Sequence, residues 1–563
     1  MASIDKSDCT YSQFGCIGAG FSAIGLGATL KRWYGITDIR FFERHGDLGG
    51  TWFVARYPGC ACDVPSALYS FSFEQNSEWT KTLPPSEELW QYLKRVADKY
   101  DLPRKMMFNA DVQQCRWIPE KNRWRMSIRH SKSDHVFYHE CQFLFSGSGQ
   151  LVTPREIDVP GAETFKGPIF HSSRWRHDVD LTGKNVVLIG NGCTAAQIVP
   201  AIVGKTKHLT QIVRSKHWIL PSIEKGSGAK SLKSLKGSVP FGPMIARTMI
   251  FAVAEIELLG FPMTKFAASF RQRRRRQAEA YMRSAAPSKY HDILIPDFEV
   301  GCKRRIFDTG YLQSLHSKNM TLTNEKTLEI VPEGIRTNSG LIKADVIVLA
   351  NGYVTNEFCK GINVIGTEGT MAEHWKSFGG AEAYNCSSLS GFPNFFMLLG
   401  PNAATGHTSA IMAAENSINF ALRLIKPVLD GEYSTVDLKR EAEEHYSDDL
   451  QTALSKTVWN SGCQSWYVDE SAGGGKKWNA MSYPYSQAHY WYRSLFPTWS
   501  DWKFSGPGTK RKSTLQFFIK LFLLGTTVTG LWAAYTASQK GESVRDQLLY
   551  LKERAFNTVS NYV

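Results

Sequence analysis

Two glycine-rich turns carry the first chemical signal in this sequence of 563 residues. Each turn follows an apolar strand, has the pattern G-x-G-x-x-A and opens a helix. In such a turn the first glycine permits a tight bend, the second lets the backbone approach a pyrophosphate, and the small third residue lets the helix pack on the strand. The two turns therefore predict two dinucleotide-binding sites. The pattern residues are Gly18, Gly20 and Ala23 in the first turn, and Gly190, Gly192 and Ala195 in the second.

The residues that follow the next strand of each unit indicate which dinucleotide binds. After the first turn, the strand IRFFE ends in Glu43, at the spacing of an acid that holds ribose hydroxyls. After the second turn, the strand LTQIV is followed by Arg214, Ser215 and Lys216, whose charge and hydroxyl suit a 2′-phosphate. The second site is therefore predicted to take NADP rather than NAD, the alternative being that these are surface cations after a strand.

The cysteines argue against one class of two-dinucleotide enzyme. A disulfide reductase needs a redox cysteine pair, and Cys60 and Cys62 do not have the C-x-x-C or C-x-x-x-x-C spacing of such a pair. The 11 cysteines also lack the paired spacing of a zinc site. We therefore expect free thiols in a reducing compartment and no metal.

The charge of the chain does not by itself select a partner. A formal net charge of +14 favours anionic partners in general, whether nucleic acid, lipid or phosphate-bearing cofactors. The densest basic run, RQRRRR at residues 271–276, has no zinc-ligand spacing or aromatic RNA-binding motif beside it. We therefore expect no nucleic-acid partner, and interpret the run as a solvated helix face.

A stretch between the two turns resembles the signature of a known family. Phe165, Gly167, His171 and Trp175 form F-x-G-x-x-x-H-x-x-x-W, which resembles the signature of the Baeyer-Villiger monooxygenases. The related flavin-containing monooxygenases usually carry Tyr at the position of Trp175. The stretch GPNAATGHTSAIMAAEN at residues 400–416 is similar to the fungal-type members of this family.

Three further motifs extend the resemblance over roughly residues 10 to 495. The stretch GGTWFVARYPGCACD ends in Asp63 and matches the family pattern G-G-x-W-x-x-x-x-Y-P-G-x-x-x-D. GCKRRIFDTGYL places Lys303 and Arg304 on the family's Lys-Arg pair beside NADPH and the flavin, and CQSWYVDESAGGGKKW places Trp466 on a substrate-side Trp before a mobile Gly-rich loop. The cofactor residues that the resemblance adds are Gly50, Trp52, Asp63, Tyr69, Val112, His171, Trp175 and Lys303.

The resemblance implies an FAD- and NADPH-dependent monooxygenase. Its flavin C4a-peroxide would insert one oxygen atom of O2 next to a ketone carbonyl and give an ester or lactone. A peroxide that attacks a ketone must be an anion, so Arg304 is the expected fixed cation and Asp63 the carboxylate that holds it. The neighbouring Arg305 is an alternative partner, because adjacent side chains point in different directions. We expect His171 to position the NADP domain rather than to transfer protons.

These residues require an α/β architecture with two Rossmann-like domains. We predict a split FAD-binding domain at residues 10–161 and 334–499, around an NADP-binding domain at 165–333 that contains a helical insert at 226–287. A tail at 505–563 follows. Its residues 514–535, TLQFFIKLFLLGTTVTGLWAAY, have about the length of a bilayer span, so we expect anchoring at the cytoplasmic face of an intracellular membrane. In the insert, residues 245–261 could roof the substrate site or rest on a membrane.

Two other functions stay open at this point. One is a flavin-containing monooxygenase that oxidises nitrogen or sulfur or hydroxylates its substrate, and Trp175 and Arg304 argue against it. The other is a membrane-tethered flavin-binding protein without turnover, which would leave Asp63, Arg304 and Trp466 unexplained. The substrate is not readable from motifs, and an apolar ketone, together with O2, is the expectation that the resemblance implies.

Overall fold

The structure is a computed structural model that describes residues 9–223, 242–463, 465–469, 477–506 and 543–544. The predicted anchor at 514–535, the first part of the insert and the Gly-rich loop after Trp466 lie outside these residues. Within the described ranges, no helix has both the length and the apolar character needed to cross a membrane. Residues 426–434 and the described residues of the range 505–563 belong to a separate compact unit, which contains the short helix Lys426–Leu429.

The first sheet has eight strands and carries the first glycine-rich turn. Its central strand Cys9–Ile17 pairs in parallel with Ile39–Glu43 on one side and Val136–Ser146 on the other. The C-terminal half of Cys9–Ile17 is buried, which is why the turn that follows it opens at the edge of a packed core. The strands, in spatial order, are Asn363–Ile365, Ala110–Ile118, Arg123–His130, Val136–Ser146, Cys9–Ile17, Ile39–Glu43 and Met106–Phe108, with Phe395–Met397 paired to Val136–Ser146.

The second sheet has five parallel strands and carries the second turn. The strands Asn185–Ile189 and Val346–Leu349 are short apolar runs without alternation, as expected for a parallel sheet covered on both faces. In spatial order they are Met320–Thr323, His208–Ile212, Asn185–Ile189, Val346–Leu349 and Ile169–His171. Two parallel-stranded cores with helices confirm the predicted α/β class with two Rossmann-like units.

The predicted C-terminal limit of the NADP-binding domain, residue 333, falls before Val346–Leu349, which is the last strand of the second sheet along the chain. Strand Val346–Leu349 pairs with Asn185–Ile189 and Ile169–His171, and the chain rejoins the first sheet only at Asn363–Ile365. An antiparallel meander precedes this crossing, with strands Thr327–Val331, Gly334–Thr337 and Gly340–Lys343. The limits of the domains themselves stay a prediction.

Helices flank the sheets and build the insert. The described α-helices outside Lys426–Leu429 are Phe21–Tyr34, Thr51–Val54, Ser86–Lys99, Cys193–Ile202, Gly242–Ile256, Lys265–Ala285, His291–Leu294, Tyr311–Ser314, Met371–Phe378, Ala410–Leu424, Arg440–Ser455 and Gln487–Leu495. The remaining short strands are Thr153–Pro154, Ile219–Leu220, Ile306–Phe307, Tyr353–Val354, Thr435–Leu438, Val468–Asp469, Trp478–Asn479 and Trp502–Ser505.

The basic run at 271–276 lies in helix Lys265–Ala285, but not all of it is solvated. Arg271 is buried, donates to the carbonyls of Gly260 and Pro262 at 3.0 and 2.7 Å, and pairs with Glu299 at 2.9 Å. The interpretation as a purely solvated face was therefore wrong for Arg271, because a turn N-terminal to the helix supplies acceptors that the sequence pattern does not reveal.

The expectation of free thiols throughout was also wrong. Cys302 and Cys463 form a disulfide with a Cα–Cα distance of 6.3 Å, although 161 residues separate them. The other nine cysteines are free. No spacing motif could have indicated this pair, since the fold alone brings the two segments together. The bridge joins the residue before Lys303 to the segment that leads to Trp466.

Candidate active site

The first turn has the backbone geometry that a pyrophosphate needs. Gly18 has φ 95°, and a Cβ there would lie 2.7 Å from the carbonyl oxygen of Gly147. Gly20 caps helix Phe21–Tyr34, and its Cα is so close to Gly50 that a Cβ on Gly50 would lie 3.0 Å away. Ala23 is fully buried beneath the turn. Side chains are therefore excluded where the backbone must approach a ligand, as the pattern predicts.

Glu43 ties the turn to the strand that follows it. Its carboxylate accepts hydrogen bonds from the backbone N–H groups of Ala19 and His45, both at 2.9 Å, and the side chain is buried. An ionised carboxylate has about four acceptor positions, so lone pairs remain for ribose hydroxyls. The predicted acid thus also fixes the conformation of the turn.

The three other residues assigned to the flavin side lie on separate elements. The indole N–H of Trp52 donates to the hydroxyl of Tyr69 at 3.3 Å, and the two rings meet edge to face at 5.5 Å. Tyr69 also contacts Phe21, the first residue of the helix after the turn, at 5.5 Å between ring centroids. Val112 packs into the core beneath the first sheet, so its side chain is committed to that core.

The second turn leaves open space where a pyrophosphate would sit. Gly190 has φ 135°, and a Cβ there would lie 2.1 Å from the carbonyl oxygen of Ala350. Gly192 caps helix Cys193–Ile202, and a Cβ at Gly192 would meet nothing within 4 Å. Ala195 is fully buried. An open approach to a helix N-terminus fits the anionic bridge of a dinucleotide.

Two cationic side chains, Arg214 and Lys303, lie near the end of strand His208–Ile212, which follows the second turn. The side-chain amide of Asn191, inside the second turn, donates to the carbonyl of Ser215 at 2.9 Å and so links the turn to this strand end. Arg214 is exposed, whereas Lys303 is buried. Burial lowers the pKa of Lys303, and the charge of Arg214 lowers it further. An anion bound between these two cations would relieve their repulsion, which fits a 2′-phosphate.

Arg304 and Asp63 form a bidentate ion pair. The guanidinium Nε and Nη2 donate to the two carboxylate oxygens at 2.7 and 2.6 Å. Burial raises the pKa of the Asp63 carboxyl, but the charge and hydrogen bonds of Arg304 outweigh it, so this pKa lies below its ordinary value. The charge of Asp63 holds the pKa of Arg304 well above its usual range, against the effect of burial.

The structure separates the two candidate arginines. Arg305 pairs with Glu257 of the insert, which also pairs with Arg274. Only Arg304 reaches Asp63, and 34% of its side chain stays exposed. The structure therefore identifies Arg304 as the arginine that pairs with Asp63, while its catalytic role stays a prediction.

Two residues beside this pair were not identified from the sequence. The Cys193 thiol lies 3.7 Å from the Asp63 carboxylate, and burial raises the pKa of this thiol to about 12. Tyr467 is buried, and the charge of Arg304 partly offsets the rise that burial causes in its pKa. The ring of Trp466 lies 4.4 Å from that of Tyr467. The position of Tyr467 directly after Trp466 was the sequence feature that could have identified Tyr467 as a site residue.

His171 ends strand Ile169–His171, and its ring contacts the backbone that follows the neighbouring strand Val346–Leu349 of the same sheet. One ring nitrogen, Nε2, lies 3.1 Å from the carbonyl of Gly352, and the other, Nδ1, accepts from the backbone N–H of Ser173 at 3.1 Å. A neutral ring that donates from Nε2 satisfies both contacts. Burial lowers the pKa of His171 to about 4, so the ring stays neutral at physiological pH.

The other positions of the F-x-G-x-x-x-H-x-x-x-W stretch have packing roles. A Cβ at Gly167 would lie 2.2 Å from the carbonyl oxygen of Asp345, so no side chain fits there. Phe165 packs against the core on one face of the second sheet, and Trp175 against the core on the other. Phe170 meets Trp175 edge to face at 5.2 Å.

Comparison of the chain with known proteins identifies its family. The family model described as flavin-binding monooxygenase-like matches residues 16–232. A Baeyer-Villiger monooxygenase of Streptomyces coelicolor is 34% identical over 471 residues, which cover 82% of this chain and 88% of that protein. The chain belongs to the Baeyer-Villiger monooxygenases. A second bacterial Baeyer-Villiger monooxygenase, from Pseudomonas aeruginosa, is 32% identical over 81% of this chain and 85% of its own length.

A fungal relative and a solved structure are also similar to this chain. This Baeyer-Villiger monooxygenase is similar to the FAD-binding monooxygenase ktnD of Aspergillus niger, at 31% identity over 93% of this chain and 88% of that protein. The crystal structure of OTEMO in complex with FAD and NADP has the same fold, with a TM-score of 0.75 at 24% identity over 88% of this chain and 99% of that one. Family membership confirms an enzyme of the Baeyer-Villiger type that depends on FAD and NADPH.

Proposed function

We propose that this Baeyer-Villiger monooxygenase converts an apolar ketone into an ester or lactone, with Arg304 as the cation beside the reacting oxygen. FAD, once reduced by NADPH, supplies an activated oxygen atom from O2. The observation that carries the proposal is the bidentate pair of Arg304 and Asp63. A guanidinium keeps its charge at every working pH, and a fixed charge of this kind stabilises negative charge that develops on oxygen.

The geometry of the pair supports this role. Asp63 takes up Nε and Nη2 of Arg304 and leaves Nη1 outside the pair. A buried guanidinium without a carboxylate partner is strongly destabilising, so Asp63 both holds and orients the cation. Trp466, which is partly buried beside Tyr467, is proposed to face the substrate.

The cofactor contacts are proposed from the two turns and their neighbours. The first turn with Glu43, Gly50, Trp52 and Tyr69 would hold FAD, and Val112 would contribute through its main chain. The second turn with Arg214, Ser215 and Lys303 would hold NADP, because an open helix N-terminus and two mutually repelling cations suit its phosphates. His171 and Trp175 would position the NADP-binding part.

A product assay tests the reaction. Purified full-length enzyme with NADPH and air is offered a panel of cyclic and linear ketones, thioethers and amines, and the products are identified by mass spectrometry. We expect esters or lactones with one added oxygen atom from the ketones. Sulfoxides or N-oxides alone would show a heteroatom-oxidising enzyme, and the lack of NADPH consumption with every substrate would show a binding protein without turnover.

The C-terminal segment 514–535 is proposed to anchor the enzyme at the cytoplasmic face of an intracellular membrane. This proposal is supported by an apolar stretch of about one bilayer span with Lys510, Arg511 and Lys512 before it. Cell fractionation of the full-length chain and of a chain truncated after Phe504 tests it. Recovery of the full-length chain entirely in the soluble fraction would refute the anchor.

A further inference from the structure

The insert presents a helix whose exposed side is largely apolar, although one of its charged residues is buried. A surface helix normally turns its apolar face inward and its polar face to solvent. In helix Gly242–Ile256 the exposed residues are apolar, with Val253 65% and Met249 50% exposed, whereas Arg247 is buried. We call this surface the outer face. It consists of Met244, Ile245, Met249, Val253 and Ile256.

Two inward polar residues fix the direction of the outer face. Arg247 donates through Nη1 to the carbonyls of Ala67 and Ser70 at 2.6 and 3.1 Å. Glu255 accepts from a ring nitrogen of His407 at 2.7 Å and from the backbone N–H of Gln487 at 3.1 Å. Because Arg247 lies on the side of the helix opposite the outer face, rotation that hid the apolar residues would break its bonds.

The outer face carries no charged residue. The other exposed positions of this helix are Thr248 and Ala252, which are small and uncharged. The apolar run continues into the turn after the helix and the start of the next helix, where Leu259, Met263 and Phe266 are exposed, Phe266 to 71%. An apolar stretch of this extent on a surface indicates a contact with another phase or partner.

Cations follow the outer face along the chain. Helix Lys265–Ala285 begins directly after the turn and exposes Lys265, Arg273 and Arg276. Large apolar side chains combined with Lys and Arg are typical of helices that lie in the interface of an anionic bilayer. A second copy of the chain would bring a net charge of +14 against another +14, so charge complementarity favours lipid headgroups over self-association.

We propose that the outer face, with Leu259, Met263 and Phe266, rests in the headgroup layer of an anionic bilayer. The lipid acyl region takes up the apolar side chains, and the exposed cations of helix Lys265–Ala285 pair with lipid phosphates. This contact is independent of the anchor proposed at 514–535 and of the catalytic roles, since it concerns other residues.

Methionine oxidation tests the contact on the unaltered full-length enzyme. Hydroxyl-radical oxidation of Met244, Met249 and Met263 is compared with that of Met107, which is 43% exposed on a strand of the first sheet. Vesicles of phosphatidylserine and phosphatidylcholine should slow oxidation of the first three several-fold relative to Met107, and pure phosphatidylcholine should do so less. Equal rates at all four methionines would overturn the proposal. Slow oxidation of Met244, Met249 and Met263 before vesicles are added would also overturn the proposal, because it would mean that protein already covers the outer face.

A pair of matched variants separates this contact from the tail. In Met249→Glu with Val253→Glu, two charges are placed on the outer face at exposed positions where the fold tolerates them. Met244 and Met263 should then regain the oxidation rate seen without vesicles, while flotation shows whether the protein still binds. Leu341→Glu, at an exposed apolar position on strand Gly340–Lys343, should leave the protection unchanged. Persistent protection in the double variant would contradict the proposal.

Discussion

Arg304 and Asp63 lie 241 residues apart in the sequence and are joined by two hydrogen bonds of 2.7 and 2.6 Å. The neighbouring Arg305 turns away to Glu257. One guanidinium is thus held by a carboxylate that lies beside Cys193, the first residue of the helix after the second turn, while the next one contacts the insert. This division gives each arginine a separate function that mutation can distinguish.

Arg304→Ala is expected to reduce ester formation by roughly 100-fold or more, the loss typical of removing a group that stabilises developing charge. NADPH should still be consumed, because the residues proposed to hold both cofactors are intact. Product yield and NADPH oxidation are measured together. Arg305→Ala is the matched control and should keep most of the ester yield, and an equal loss in both variants would contradict the assignment.

Asp63→Asn should lower both the ester-forming activity and the free energy of unfolding at neutral pH. Arg304 depresses the pKa of Asp63 in the folded state. The ionised Asp63 therefore adds to the free energy of unfolding above the pKa of the unfolded state, and this addition is lost as pH falls through the folded-state pKa. Because the pair is partly exposed, we expect a loss of about 1–2 kcal/mol at neutral pH. Denaturant unfolding between acid and neutral pH should show a smaller rise of stability in the variant, and parallel profiles would refute this role.

His171→Gln should leave the pH dependence of kcat unchanged in shape. Glutamine can donate to the Gly352 carbonyl and accept from the Ser173 N–H, so it preserves the contacts of a positioning residue. His171→Ala, which loses both contacts, should raise KM for NADPH. If the glutamine variant instead loses one limb of the pH profile near neutrality, the ring transfers protons.

Arg214→Ala should weaken the use of NADPH. Loss of a charge-assisted hydrogen bond to the 2′-phosphate is worth about 1.5–3 kcal/mol, so KM for NADPH should rise roughly 10-fold or more. KM for NADH, which lacks this phosphate, is the internal control and should stay constant. A parallel rise for both dinucleotides would show that Arg214 does not read the 2′-phosphate.

Glu382→Gln should flatten the dependence of stability on pH. Glu382 lies buried beside His374 and Glu443, at 3.5 Å from the His374 ring nitrogen Nε2. Burial and the charge of Glu443 raise the pKa of Glu382 in the folded state well above its ordinary value. The stabilisation of the folded protein by the protonated carboxyl is therefore lost as pH rises through this raised, folded-state pKa. The glutamine variant should therefore melt at a higher temperature than the parent in alkaline buffer.

The ligand atoms of His374, Glu382 and Glu443 all lie within 4.8 Å of one another, so the same cluster offers a contrary outcome. If Glu382→Gln lowers the melting temperature at every pH, and elemental analysis of the parent finds one divalent ion per chain, an ion rather than a proton stabilises the buried carboxylates.

The backbone geometry of the two glycine-rich turns was predictable because it is encoded locally. Gly18 and Gly190 adopt positive φ, and each lies where a Cβ would strike a carbonyl oxygen. Such constraints leave a mark in the sequence itself, as glycine at a fixed distance from a strand. The same holds for Gly167 in the stretch that indicated the family. The prediction of the two turns and of the family was correct for this reason.

Other features depend on which distant segments meet. The sequence could name Arg304 and Arg305 as candidates, but only packing of the insert, which brings Glu257 to Arg305, decided between them. The Cys302–Cys463 disulfide and the burial of Arg271 likewise arise from contacts between separate segments. Strand Val346–Leu349 joins the second sheet through its neighbours, not through any local marker.

The amino-acid sequence by itself determined the two glycine-rich turns and the family, because backbone conformation at glycine and strand-to-helix spacing are local properties. Tertiary structure alone decided which charges pair and which way helix Gly242–Ile256 faces. That orientation follows from Arg247 and Glu255 finding acceptors and donors on distant segments. A buried charge is stable only where such partners are supplied, and no single segment contains them.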